Sequence, residues 1–339
     1  MIRSEHQFFL FGMGNREKYI YKNKSLIRNR DNKIIYAWND CTEEFFFDEY
    51  KVVLTLNNGG SVVLFENEEG FFVNDTPITS SKINLPSFEE YKYPKQLRIL
   101  LHEVLINIID GKPVPNYFVY DKPWYRDSAM MGMVLKHSGN LHLIKDWVLS
   151  ITEPYDKNNA GNEEPDNLGQ LLYLISLVSD KNHPMVEKII TEAKRICKNG
   201  LLRGMTDFSK HEIYSTLWLK LGLDALEIPC DFISLPNEFD SYARMFWMMR
   251  DGIERETKYE NEYNWKYPYL WWAVKHFENE PIEEKYLEIT YPMSWEKEAS
   301  QAKYEGIRQL SNIYADNSFS APHTWHASEM YLYLIEMEN

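Results

Sequence analysis

The chain has 339 residues, 44% of them hydrophobic, and a net charge of −14 at neutral pH. This length and composition are typical of a globular protein with one large domain and a small one, and they exclude disorder over most of the chain. The negative charge disfavours nucleic acid, anionic membranes and polyanionic glycans as partners. No stretch approaches 18 consecutive apolar residues, so we expect no membrane-spanning helix.

The N-terminal segment does not have the pattern of a signal peptide. Charged residues precede an apolar run of only four residues, Phe8–Phe11. We therefore expect a cytoplasmic protein as the sequence stands, and a processed exported protein is the alternative. The three cysteines, Cys41, Cys197 and Cys230, are far apart and odd in number, which fits neither a disulfide framework nor a zinc pattern. We expect them to be small buried hydrophobic residues.

Up to about residue 90 the pattern is that of β-strands. The polar sequence Asn57-Asn58-Gly59-Gly60 separates two β-rich runs and predicts a hairpin. The predicted strands are 18–21, 34–38, 50–56, 61–66 and 71–73, with another near Ile78. This region predicts a small antiparallel β domain over residues 1–90.

From about residue 94 the apolar residues recur with a helical period. The predicted helices are 97–108, 128–136, 141–150, 167–178, 184–197, 214–225, 241–251, 268–277, 300–310 and 323–336. Short polar loops between them predict antiparallel helical hairpins. About ten helices in pairs suit a helical toroid over residues 91–339, and a less regular bundle is the alternative.

The segment 122–129 contains Trp124, Arg126, Asp127 and Ser128 just before a predicted helix. On general grounds, Asp127 or Ser128 is expected to cap that helix. The alternative is a ligand site. A tryptophan ring, a guanidinium and a carboxylate together provide a stacking plane, a fork of donors and an acceptor, which are the groups that hold sugar hydroxyls.

Two further polar stretches precede predicted helices. The stretch 161–170 contains Glu164 and Asp166, which are either an acidic helix start or part of a site. The stretch 204–216 contains Asp207, His211 and Glu212. A carboxyl held there by aromatic neighbours would have a raised pKa and could act as an acid, whereas the alternative is a plain surface loop.

The last candidate segment is 320–329, which contains His323, Trp325, His326 and Glu329. The two histidines are not spaced as in the His-Glu-x-x-His motif, so we predict no metal site. Trp325 and Glu329 are one helical turn apart and are expected to share a helix face. A satisfied polar contact and a catalytic role are equal alternatives for Glu329.

Three of these segments resemble motifs of the six-hairpin glycosidase superfamily, most closely its glucoamylase-like branch. Residues 124–129 match the Trp-x-Arg-Asp-Ser-Ala segment of that family position for position. Residues 164–169 are similar to its Pro-Gln-x-Asp-Gly segment, and residues 323–326 are similar to its Leu-Thr-Trp-Ser segment. The three motifs occur in the same order. The resemblance covers roughly residues 95–339 and implies a mainly α fold, a six-hairpin (α/α) toroid preceded by a small antiparallel β domain.

The resemblance also implies roles for individual residues. The family binds sugar through the first motif, and we extend this expectation to the matching segments. The predicted substrate-binding residues are Trp124, Arg126, Asp127, Glu164, Asp166, Trp325 and Glu329. The Trp-Glu-Glu segment that carries the family's general acid has no counterpart between residues 201 and 214. Either Asp207 or Glu212 would therefore be the acid, and either Glu296 or Glu305 would be the base, with Glu298 as a competitor.

The sequence thus predicts an inverting glycoside hydrolase that acts on a neutral oligosaccharide or glycoside and needs no cofactor. The first alternative is a catalytically inactive glycan-binding protein, because the family's acid segment is missing. The second is a polysaccharide lyase, which usually needs a cluster of Arg or Lys residues to neutralise a uronate. The acidic balance of the chain argues against the lyase.

Overall fold

The structure is a computed structural model that describes residues 8–120, 122–157, 160–238, 240, 247, 289–299 and 302–336. The predicted helix at 268–277 lies outside these residues, and so does the one at 241–251 except for Trp247.

The N-terminal part of the chain forms two antiparallel sheets of consecutive strands. The first consists of β1 (Phe8–Phe11), β2 (Tyr19–Lys22), β3 (Ser25–Arg28) and β4 (Lys33–Ala37). The second consists of β5 (Cys41–Phe46), β6 (Lys51–Leu56), β7 (Ser61–Glu66), β8 (Gly70–Val73) and β9 (Thr76–Ser80). The predicted strands and the hairpin between β6 and β7 are confirmed, whereas β1, β3 and β5 are missing from the prediction.

The helices of the described residues begin after the sheets. They are α1 (Pro94–Ile106), α2 (Tyr125–His137), α3 (Lys145–Leu149), α4 (Asp166–Val178), α5 (Pro184–Ile196), α6 (Glu212–Ala225), α7 (Asn312–Asp316) and α8 (Thr324–Glu336). Three two-stranded pairs lie between them: β10 (Ile108–Ile109) with β11 (Lys112–Pro113), β12 (Cys197–Lys198) with β13 (Leu201–Leu202), and β14 (Glu296–Lys297) with β15 (Phe319–Ser320).

Five of the helices pack in the order α1, α8, α2, α4 and α6, so the last helix of the chain lies between the first two. The backbones of α4 and α6 approach closely at Gly169. A Cβ atom at this position would lie 2.1 Å from the carbonyl carbon of Trp218, which is closer than real contacts allow. Glycine is therefore required where these helices meet.

The predicted fold class, a mainly α toroid with a small β domain in front, is wrong. The described chain is about 36% helical and about 21% strand, with five small antiparallel sheets, which is a mixed α and β architecture. The sheets and helices also share one hydrophobic core. Phe9 of β1, for example, stacks on His102 of α1 with ring centroids 4.7 Å apart. Helical periodicity could not reveal this shared core because it reports on each element alone.

The predicted helix at 300–310 is also wrong in its described part. Residues 302–310 form turns and one 3₁₀ turn, Ile307–Gln309. The backbone of this segment docks on the chain after β11, where the amide of Lys303 donates to the carbonyl of Val119. A Cβ atom at Gly306 would lie 2.0 Å from the carbonyl oxygen of Phe118. This close backbone docking replaces the helix that the apolar spacing predicts.

The described helices and the three cysteines bear on two further predictions. None of the described helices has both the length and the apolar character needed to cross a membrane. All three cysteines are free: Cys41 is buried as predicted, whereas Cys197 and Cys230 are only partly buried.

Candidate functional site

A pocket lies where the first turns of α2 and α8 meet the loop before α6 and strand β14. Its cavity volume is about 50 Å³, it is partly open to solvent, and its lining residues come from separate parts of the chain: Pro115, Tyr120, Trp124, Arg126, Asp127, Asp207, Glu296, His323, Trp325 and His326. Tertiary folding thus brings together three of the polar segments that the sequence singles out.

Helix α2 begins at Tyr125, and neither Asp127 nor Ser128 caps it, so the predicted cap is wrong. Trp124 is the N-cap residue and makes no side-chain capping bond. The amide of Tyr125 instead donates to Asp156 Oδ2 at 2.6 Å, from a loop 31 residues later. Because the cap comes from elsewhere, Asp127 occupies the first turn with its side chain in the pocket lining.

Arg126 binds three carboxylates at once. Its Nη2 lies 2.8 Å from Glu164 Oε2, its Nε lies 2.8 Å from Asp166 Oδ2, and its Nη1 lies 2.8 Å from Asp207 Oδ2. Burial by itself lowers the pKa of Arg126, but the adjacent carboxylates outweigh it and hold the pKa well above its usual value. The guanidinium is therefore a permanent buried cation that joins α2, α4 and the loop before α6.

The partners of Arg126 are themselves held in place. Asp166, the first residue of α4, accepts hydrogen bonds from Gln170 Nε2 at 2.7 Å and Thr206 Oγ1 at 3.3 Å. Glu164 Oε1 accepts the amide N–H of Asp207 at 3.0 Å. Glu164 and Asp166 thus position Arg126 from behind the pocket lining, in which only Arg126 and Asp207 of this cluster take part.

Asp207 lies at the tip of a tight turn. Thr206 and Ser209 exchange backbone hydrogen bonds of 2.8 and 3.1 Å, and the two residues between them, Asp207 and Phe208, have φ angles of 50° and 64°. These left-handed conformations cost about 1–2 kcal/mol per residue for non-glycine side chains. The turn directs the Asp207 carboxylate to Arg126, so the strain serves the ion cluster.

Trp124 Nε1 and Asp127 Oδ1 in the pocket are buried without a hydrogen-bond partner among the described residues. Burial raises the pKa of Asp127 to about 8, and the opposing effect of Arg126 is countered by the charges of Glu296 and Asp207. Asp127 is therefore mainly protonated at pH 7. A buried donor and a buried carboxyl oxygen that lack partners in the described part of the chain point to a polar ligand.

On β14, Glu296 faces two imidazoles. Its Oε2 lies 3.1 Å from His323 Nε2 and 3.6 Å from His326 Nε2. Both histidines are buried at the start of α8, with ring centroids 4.9 Å apart. Further along the same helix, Glu329 accepts a 2.8 Å hydrogen bond from Trp325 Nε1. This bond confirms that Trp325 and Glu329 share a helix face.

The segment that carries Glu296 is anchored in the core by Glu103 of α1. The Glu103 carboxyl accepts the amide N–H of Met293, the amide N–H of Ser294 at 2.9 Å and the hydroxyl of Ser294. Ser294 Oγ in turn accepts the amide N–H of His323 at 3.1 Å. Glu103 therefore ties together the two segments that meet in the pocket.

Burial raises the pKa of Glu103 from its usual 4.5 to about 7, against the effect of its hydrogen bonds. Between about pH 4.5 and 7 the Glu103 carboxyl therefore keeps a proton in the folded protein and loses it in the unfolded chain. The stability that this proton provides is complete below pH 4.5 and is lost as the pH rises to 7. We expect the free energy of unfolding to fall by about 3 kcal/mol more in the wild type than in Glu103→Gln over this range. Urea denaturation of both proteins at several pH values measures this difference. Parallel curves of unfolding free energy against pH would refute the prediction.

Two of the predicted catalytic residues do not line this pocket. Glu212 is the first residue of α6 and pairs with Arg203. Glu305 lies in the turn before the 3₁₀ segment and is exposed. The other two, Asp207 and Glu296, both line it.

The sequence predictions did not include Pro115, Tyr120, His323 or His326 as site residues. Tyr120 packs its ring edge against Trp124, with centroids 5.0 Å apart. The aromatic run at 117–125 is a signal for a binding wall, and two histidines one turn apart beside a Thr-Trp pair are a signal for a polar site. Neither signal identifies Glu296 as their partner, because 27 residues separate it from His323.

No family model matches this chain, and neither a curated protein nor a solved structure matches it significantly. The resemblance of residues 124–129 to the glucoamylase-like motif therefore stays a prediction.

Proposed function

We propose that the protein is a glycoside hydrolase that acts on a neutral saccharide and inverts the anomeric configuration. One observation carries the proposal: a single pocket contains Trp124, Arg126 and Asp127 together with two further carboxylates, Asp207 and Glu296. Glycoside cleavage needs an acid to protonate the leaving oxygen and a second carboxylate to activate water. The resemblance of the first motif to sugar-binding segments supports the same reaction.

Asp127 and Glu296 suit the two catalytic roles. A carboxyl with a pKa of about 8 is protonated at neutral pH and can donate to the leaving oxygen. Asp207 suits the acid role less well because its carboxylate is already bound to Arg126 Nη1 at 2.8 Å. Glu296 would be the base, with His323 3.1 Å from its Oε2 to orient it. This assignment moves Asp127 from substrate binding to proton donation.

The aromatic residues and their polar atoms suit a sugar ring. Tyr120, Trp124 and Trp325 form apolar walls of the pocket, and pyranose faces stack on such rings. The buried Trp124 Nε1 has no hydrogen-bond partner among the described residues, so it can donate to a ligand hydroxyl.

The charge of the pocket favours a neutral saccharide over a uronate. Among the residues that line it, Arg126 is the only arginine or lysine, and its guanidinium is already bound by three carboxylates. A polysaccharide lyase would need a cation for the substrate carboxylate. The pocket residues therefore argue against the lyase alternative.

The proposal is tested by turnover of neutral aryl glycosides and neutral disaccharides, with product configuration followed by NMR. We expect turnover by the wild type with inversion, and a fall in kcat of about 10²–10⁴ for Asp127→Asn on disaccharides. The loss should be smaller on nitrophenyl glycosides, because a good leaving group needs little protonation.

Asp146→Asn, a change at an exposed position of α3, is the matched control and should keep full activity. The absence of turnover on every glycoside would contradict the proposal. Saccharide binding by calorimetry without turnover would then support the glycan-binding alternative.

A further inference from the structure

We propose that Glu296, His323 and His326 form a binding site for one first-row divalent metal ion of the zinc type. Each residue offers one ligand atom, and the three atoms lie within 4.8 Å of one another. The shorter separations are 3.1 and 3.6 Å, from Glu296 Oε2 to the two Nε2 atoms. The inference concerns the pocket of the proposed function but does not depend on the reaction.

The 3.1 and 3.6 Å separations are close to those between neighbouring metal ligands. With metal–ligand bonds of about 2.0–2.2 Å, neighbouring ligands of a tetrahedral ion are about 3.3–3.6 Å apart. A hydrogen bond between Glu296 and His323 would account for the shorter contact. It would not account for the second imidazole, because 3.6 Å from Oε2 to His326 Nε2 is too long for a hydrogen bond. One ion bound between the three residues would explain why the Nε2 atoms of both His323 and His326 face Glu296 Oε2.

The three ligands are held by contacts that do not involve an ion. Strand β14 pairs with β15, where Glu296 lies opposite Ser320, three residues before His323. The Ser294 hydroxyl accepts the amide of His323, which ties the same segments a second time. His323 and His326 are fixed relative to each other by the first turn of α8. Such preorganisation lowers the cost of binding an ion.

The charge around the three residues also favours a cation. Asp207 lines the same pocket, and Glu164 and Asp166 stand behind it, whereas Arg126 is the only arginine or lysine among the lining residues. The acidic groups therefore outnumber the guanidinium. The two histidine nitrogens and one carboxylate oxygen match the ligand preference of zinc and neighbouring metals rather than that of calcium or magnesium.

Three protein ligands leave a coordination position open to the pocket, as in catalytic rather than structural zinc sites. A bound ion would supply an activated water or polarise a substrate oxygen. This water would take over the part that Glu296 alone plays in the proposed function.

The test is calorimetric titration of ZnCl₂ into tag-free protein that has been freed of metal by a chelator. We expect one equivalent to bind to the wild type. His323→Ala, His326→Ala and Glu296→Gln should each weaken binding at least about 100-fold, because loss of a residue that only supports a ligand already costs about 10–100-fold. His142→Ala, at an exposed position, is the matched control and should bind as the wild type does.

The proposal is overturned if the wild type does not bind zinc, or if the three variants bind it with wild-type stoichiometry and affinity. Circular dichroism and thermal unfolding check that each variant is folded, and His326→Gln and His323→Gln replace any alanine variant that is not. Turnover of glycosides is measured separately. Zinc binding without turnover would refute the proposed function and leave the metal site standing. Turnover without zinc binding would refute the metal site and leave the proposed function standing.

Discussion

Replacing Arg126 with methionine is expected to lower the free energy of unfolding at pH 7 by about 3–5 kcal/mol. The substitution leaves the carboxylates of Glu164, Asp166 and Asp207 without their shared cation. Asp166 is completely buried, so water cannot replace the lost ion pair. The three carboxylates would then repel one another at short range.

Urea denaturation of Arg126→Met and Arg195→Met measures this effect. Arg195 also pairs with a carboxylate, that of Glu192, but its side chain is 68% exposed. Its replacement should cost much less, because exposed ion pairs contribute little to stability. Equal losses in the two variants would show that Arg126 is not the centre of a structural ion cluster. If Arg126→Met is as stable as the wild type and fails only to bind saccharide, the residue serves the ligand alone.

Replacing Glu296 with glutamine is expected to lower kcat on neutral glycosides by about 10²–10⁴, since the amide cannot accept the proton of an attacking water. Unlike the loss in Asp127→Asn, this loss should be similar for good and poor leaving groups, because attack by water is needed for both. Steady-state kinetics with nitrophenyl glycosides and disaccharides measure the difference.

The matched control is Glu298→Gln, two residues further along the chain. Glu298 is exposed and pairs with Lys297, so its replacement should leave kcat unchanged. An equal kcat for Glu296→Gln and the wild type would exclude Glu296 as the base. A variant that has lost its fold is recognised by thermal unfolding.

Local patterns in the sequence determined most of the described secondary structure. The period of apolar residues predicted α1, α2, α4, α5, α6 and α8. Alternation and the Asn-Asn-Gly-Gly turn likewise predicted the β6–β7 hairpin. The composition of residues 124–127 predicted a polar ligand site, because a tryptophan ring, a guanidinium and a carboxylate together can hold sugar hydroxyls.

The fold class and the grouping of the site residues were decided by tertiary structure. Phe9 and His102 lie 93 positions apart, yet their stacking joins a sheet to a helix in one core. The carboxylates that bind Arg126 lie 38 to 81 positions later in the chain. Glu296 likewise lies close to two histidines of another segment. Contacts of this range leave no periodic signal in the sequence, because they depend on packing and on the burial of charge. The segment 124–127 therefore predicted that a site exists, and only the folded chain decided which carboxylates complete it.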